Sequence, residues 1–152
     1  MNDLISAKAI LPQLRAASKK QALQELARKA AELTGLHERA IFDVLLERER
    51  LGTTGVGRGI AIPHGKLPSL TRVVALFARA ERPIDFAAID EQPVDLICLL
   101  LAPTHAGADH LKALARMSRL LRDPVLCDKL RGADTADAIY ALLAQNEASH
   151  AA

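Results

Sequence analysis

The sequence has no tryptophan, one tyrosine and three phenylalanines, so aromatic residues make up only 3% of it. Platforms for stacking bases are therefore few, and no basic run interleaves with aromatics, which excludes nucleic acid as the expected partner. Neither sign of charge dominates: the charged quarter of the chain leaves a formal net charge of +2. Cysteine is scarce. Cys98 lies in the apolar run LICLLLA and Cys127 in PVLCDKL, and no C-x-x-C occurs. That excludes a zinc ribbon or a thioredoxin-type motif and leaves two reduced, packed thiols, as in a reducing compartment. The opening MNDLISAKAILPQLRAASKK lacks the basic-then-apolar order of a signal peptide. The longest unbroken apolar run, Leu96 to Ala102, falls far short of the ~20 residues of a membrane helix. A cytoplasmic chain without membrane insertion is the expectation.

What is present is a chain of 152 residues, half of it apolar. That length suggests one domain and suffices for a real core, built from Leu, Ala, Ile and Val. Ser18 with Gln21 three residues later is a capping-box pattern. It opens a helix predicted over 18–33, with Leu23, Leu26, Ala27, Ala30 and Leu33 at helical spacing and Gly35 as its stop. A second helix is predicted from about His37 to Arg50, with the stripe Ile41, Val44, Leu45, stopped by Gly52. GTTGVGRG then puts four glycines into eight residues, a loop with unusual backbone angles. IAIPH reads as a short strand ending at Pro63. RVVALFARA (72–80) and VDLICLLLA (94–102) read as strands, with a short strand at Ile84 to Phe86 between them. The uniform apolarity of LICLLLA predicts a strand covered on both faces.

After Pro103 the helical period returns, with Leu111, Leu114, Ala115, Ser118 and Leu121 as one stripe. Pro124 starts a short helix ending near Gly132. Asp134 or Thr135 caps a last helix, with Ala138, Ile139, Leu142 and Leu143 inward, and QNEASHAA reads as a frayed tail. The order α-α-β-β-β-α-α-α predicts an α/β fold, a small mixed β-sheet flanked by helices. No repeat, low-complexity segment or linker is visible.

Three polar residues stand out. His64, in AIPHGK, follows a proline that stiffens the backbone and precedes a glycine that would spare room for an incoming group. An imidazole there offers a nucleophilic nitrogen near neutral pH. Arg48 falls on the apolar face of the second helix, where its planar fork suits an anion. His110 lies in the first turn of a helix, a position that favours anions and a neutral imidazole. Each has an ordinary explanation as well: a histidine in a turn, an arginine that snorkels or pairs with Glu47 or Asp43, and a histidine that packs or caps. Taken with the glycine loop, the three suit a phosphoryl group better than a proton or a metal, because phosphoryl transfer needs positioning and charge stabilisation above all.

Other motifs fail. GTTGVGRG has the wrong spacing for a dinucleotide site and precedes a strand. HGKL ends like a P-loop, but Leu67 stands where Ser or Thr would bind magnesium. His64, His105 and His110 match no zinc-ligand spacing, and G-x-S-x-G is absent.

The segment LLERERLGTTGVGRGIAIPHGKLPSL resembles the active-site segment of the mannitol/fructose-type enzyme IIA domain of the bacterial phosphotransferase system. Its GIAIPHGKL is closest to the free-standing nitrogen-regulatory branch. The resemblance spans residues 5–145 or so and implies a single IIA type-2 domain over 1–152, with helices on both faces of the sheet. It implies that His64 takes the phosphoryl group, by family habit on Nε2, with Arg48 and His110 as its active-site companions. Gly55 and Gly57 stand where mannitol-type members often carry a larger residue, which implies a more open side of the pocket. The implied activity is that of a phosphotransferase acting as a phosphohistidine carrier, with no cofactor and no metal because the donor arrives activated. The implied partners are an HPr-like phosphocarrier (NPr) as donor and regulatory targets such as potassium-transport regulators or sensor kinases; a weak homodimer is compatible with it. No IIB or membrane IIC segment is attached, which favours regulation. The alternatives are a sugar-specific IIA passing phosphate to a separate IIB, an interaction module that no longer transfers phosphate, and a metal-dependent hydrolase using the histidines.

Overall fold

The computed structural model describes residues 4–151, with side chains through residue 146. The capping box forms: Ser18 Oγ accepts from the Gln21 amide at 3.2 Å. Gln21 Oε1 accepts in turn from the Ala17 amide at 2.8 Å, one residue ahead of the position this motif ordinarily serves. Helix α1 runs Lys19–Thr34, and Gly35 closes it at φ +75°, a left-handed conformation that suits glycine. Helix α2 runs Glu38–Leu51.

Six strands make one mixed sheet: β1 Ile10–Leu14, β2 Gly55–Gly57, β3 Ile60–Ala61, β4 His64–Leu67, β5 Val74–Ile84 and β6 Val94–Pro103. The order is β1-β5-β6-β3-β2, with β4 also on β6. β5 is antiparallel to β6, whereas β1 runs parallel to β5 and both β3 and β4 run parallel to β6.

Four strand readings need correction. β1 was absent from the predicted order; Pro12 disguises it, and the strand tolerates that proline because it is an edge strand with one neighbour. The glycine segment is not all loop, since β2 pairs antiparallel with β3. The strand of IAIPH does not end at Pro63. β3 and β4 hold one register along β6, from Ile60 opposite Leu96 to His64 opposite Leu100. The ladder breaks only around Pro63, which has no amide to give, and the Pro63 carbonyl still accepts from Leu100 N at 3.0 Å. His64 therefore opens a strand. The short strand expected at 84–86 is only the end of β5.

β6 explains its own composition. Ile97, Leu99 and Leu101 enter the core beneath α1 and α2, while Leu96, Cys98 and Leu100 enter the second core on the opposite face. With both faces covered, no polar residue alternates along Leu96 to Ala102. The second core lies under α3 (Gly107–Leu120), α4 (Pro124–Arg131) and α5 (Ala136–Ala151). The buried face of α3 is His110, Ala113, Met117 and Leu120, not the predicted stripe. Leu111 and Ala115 are exposed, Leu114 and Ser118 half-buried, and only Leu121 of that stripe is buried. Counting leucines set the stripe about one residue round from the true face, whose members include a histidine. On α5, Ile139 and Leu143 are buried and Leu142 half-buried, but Ala138 is exposed. Thr135 Oγ1 caps α5 by accepting from the Ala138 amide at 3.1 Å. The predicted frayed tail is helical through Ala151. Cys98 and Cys127 are free and buried, and burial pushes both thiols above their ordinary range, as packing residues would have it.

Candidate functional site

The site begins with a close approach between α2 and β4. A Cβ at Gly65 would stand 2.4 Å from Val44 Cγ1. The glycine therefore lets the helix close on the strand, and the space it spares is filled by Val44, not kept for an incoming group as the sequence suggested. One turn beyond Val44, Arg48 reaches the start of β4. Its Nε donates to His64 Nε2 at 3.3 Å, and its Nη1 donates to the Gly52 carbonyl at 2.8 Å. Asp43 is paired with Arg39 instead.

These contacts determine which nitrogen of His64 is free to react. Nδ1 lies 2.9 Å from the Ile62 carbonyl, which only accepts, so Nδ1 carries the proton. Nε2 faces a guanidinium, which only donates, so Nε2 carries the lone pair. Two independent neighbours thus select the same tautomer.

His110 comes from the first turn of α3. Its ring centroid is 5.6 Å from that of His64, edge to face. It is 6% exposed, and its Nε2 is buried without a hydrogen-bond partner. Burial lowers its pKa below the ordinary histidine value, and the neighbouring Lys66 ammonium pushes the same way. His110 is therefore neutral near pH 7. Arg48, His64 and His110 line one open cleft of about 640 Å³, together with Val44, Glu47, Leu51, Lys66, Gly107, Leu111 and Leu114. All three residues singled out from the sequence meet here.

Some expectations do not join the site. Gly55 and Gly57 are not part of this cleft; they lie against Ala88 and Asp90, so their small size seats the segment after β5 and opens nothing beside His64. His105 is exposed in the turn after β6 and does not line the cleft. Among the described residues no three His, Cys, Asp or Glu side chains converge as metal ligands.

Two residues were missed. Lys66 follows His64 by two along β4, the spacing that shares a strand face, and it lines the cleft. Glu49 is buried at the end of α2. It stands four residues after Leu45, on the buried face, a register that could have revealed it.

This is an imidazole nitrogen with an available lone pair, a guanidinium and a neutral second imidazole in one open cleft. Residues 3–146 match the family described as "Phosphoenolpyruvate-dependent sugar phosphotransferase system, EIIA 2". The chain belongs to this EIIA family. A nitrogen regulatory protein of Bradyrhizobium diazoefficiens is 65% identical over 144 residues, covering 95% of this chain and 94% of that one. The nitrogen regulatory protein of Escherichia coli is 42% identical over 131 residues, 86% of this chain and 80% of its own length. The crystal structure of the nitrogen regulatory protein IIA-Ntr from Neisseria meningitidis superposes with a TM-score of 0.87 at 30% identity, covering 93% of this chain and 97% of that one. The EIIA fold is thus the mixed sheet with helices on both faces described above. Among the described residues no helix is long and apolar enough to cross a membrane.

Proposed function

We propose that this EIIA chain is a regulatory phosphocarrier of a nitrogen phosphotransferase system, taking a phosphoryl group on His64 Nε2 from an HPr-like donor (NPr). The observation that carries this is the tautomer: Nδ1 is tied to the Ile62 carbonyl and Nε2 presents its lone pair into the cleft beside Arg48. In the transfer, Nε2 attacks phosphorus in line. The P–N bond of the donor phosphohistidine breaks, its electron pair returns to the donor ring, and one P–N bond forms on His64. No proton need move, because Nδ1–H keeps the Ile62 carbonyl throughout. Arg48 Nε–H then turns from the imidazole to a phosphoryl oxygen, and Lys66 adds positive charge at the same cleft. His110, neutral and with an unpartnered Nε2, donates from that atom to another oxygen.

Regulation in place of sugar transport is supported by the nitrogen regulatory names of the relatives at 65% and 42% identity. Phosphorylation adds about −1.5 to −2 charges at one spot. That changes which cytoplasmic target surface is tolerated, with potassium-transport regulators and sensor kinases as the target classes. A sugar-specific IIA that hands its phosphoryl group to a separate IIB would use the same His64 chemistry.

The test is incubation with phosphoenolpyruvate, enzyme I and the HPr-like donor, followed by intact-mass measurement. The wild-type chain gains one acid-labile phosphoryl group and His64→Ala gains none. A His64→Ala chain that still gains the group overturns the assignment. Arg48→Ala and His110→Ala fold normally and accept the group more slowly.

A further inference from the structure

Glu49 occupies an expensive position. Its side chain is 3% exposed, and it stands in the last turn of α2, where the helix field disfavours a carboxylate. A buried carboxylate there needs compensation, and it has three bonds. It accepts from the Thr54 amide at 2.9 Å, from Thr54 Oγ1 at 2.6 Å and from Lys19 Nζ at 3.1 Å. Lys19 is held in turn, with its ammonium 5.5 Å from the centre of the Phe86 ring. Thr53 Oγ1 donates to the Phe86 carbonyl at 2.7 Å. The two Thr54 bonds and the Thr53 bond fix the turn from Gly52 to Thr54, and Lys19 holds the carboxylate on which that turn rests.

That turn carries the carbonyl on which Arg48 rests. Arg48 Nη1 donates to Gly52 O, while Arg48 Nε donates to His64 Nε2. Once a phosphoryl group sits on Nε2, the Nε bond must change acceptor. The bond to Gly52 uses a different nitrogen and need not break in that change, so the Gly52 carbonyl can serve as the pivot of the guanidinium. Resting on the reading that His64 is the phosphoryl acceptor, we propose that Glu49, with Thr54, is a positioning residue for the transfer: it acts through the 52–54 turn to hold Arg48 at the reacting nitrogen.

The experiment is a double-mutant cycle on the full chain. Initial rates of phosphoryl transfer from the HPr-like donor are measured for Glu49→Gln and Thr54→Val, each in the wild-type and the Arg48→Ala background. A misplacement of about 1 Å at a reacting centre costs up to about 10²-fold. Glu49→Gln is therefore expected to slow transfer roughly tenfold or more, Thr54→Val less. Neither is expected to slow it further once Arg48 is alanine. In ¹⁵N spectra, His64 Nε2 of both single variants moves toward the value it has in Arg48→Ala. Equal slowing in both backgrounds, or no slowing in the wild-type background, overturns the proposal. If Glu49→Gln does not fold, as read by circular dichroism, Thr54→Val carries the same test, since it leaves the carboxylate and Lys19 paired. Failure of the phosphocarrier reading itself looks different: the wild-type chain then gains no phosphoryl group, or gains it without His64, and both proposals fall together.

Discussion

At His110, burial and the charge of Lys66 act in the same direction, and the consequence is a pH dependence of definite sign. The folded-state pKa lies below the ordinary value of 6.5, so between the two values the unfolded chain binds more protons than the folded one. His110's contribution to stability is complete above the ordinary histidine range and is lost as pH falls through it toward the folded value. Urea unfolding at a series of pH values from about 7.5 down to 5 is expected to give a steeper loss for the wild type than for His110→Gln. Parallel curves would remove His110 from that linkage. Phosphorylating His64 places a dianion beside the ring, which favours the charged form. The His110 pKa, followed by NMR, therefore rises on phosphorylation, and no change would separate it from the phosphoryl site. At this scale the sequence spoke clearly for His64, Arg48 and His110, because each is a polar group set where an apolar or glycine-rich context makes it conspicuous. It was silent on Glu49 and Lys66, whose meaning depends on partners distant along the chain. Gly65 was misread because a missing side chain does not say which neighbour fills its place.

The elements show the same division. α1 and α2 were legible because capping residues and a 3.6-residue period are local signals. β1 was hidden by Pro12 and by a partner, β5, far along the chain, and β2 by glycines that mask its local hairpin with β3. The junction of α2 with β4 is likewise tertiary, and it makes a prediction. Gly65→Ala would set a methyl 2.4 Å from Val44 Cγ1, so α2 must shift. Overpacking of this kind costs about 1–3 kcal/mol, and the shift carries Arg48 away from His64. Gly65→Ala is expected to lower the urea midpoint and slow phosphoryl transfer, and adding Val44→Ala to restore much of both. A Gly65→Ala chain as stable and as fast as wild type would mean that this contact does not set the helix position.

Across the whole molecule, one sheet separates two cores and leaves His64 Nε2 at a place where elements from both sides meet: α2 brings Arg48, β4 brings His64 and α3 brings His110. The cleft is rimmed by leucines with no structural need to be there. Leu51 is 84% and Leu111 68% exposed, and both line the opening. The α3 period was misread for this reason: Leu111 was counted as core when it faces outward. An exposed leucine contributes little to folding, so Leu51→Ser and Leu111→Ser are expected to change stability by no more than ~0.5 kcal/mol. If the rim is where the donor protein rests, each loses of order 1 kcal/mol of docking energy, roughly a fivefold rise in KM for the phosphorylated donor. The rate at saturating donor should stay near wild type, because Arg48, His64 and His110 are untouched. Steady-state kinetics at varied donor concentration separates the two quantities. An unchanged KM in both variants would show that the donor lands elsewhere, and a fall in kcat alone would place the leucines in the chemistry of transfer and not in docking.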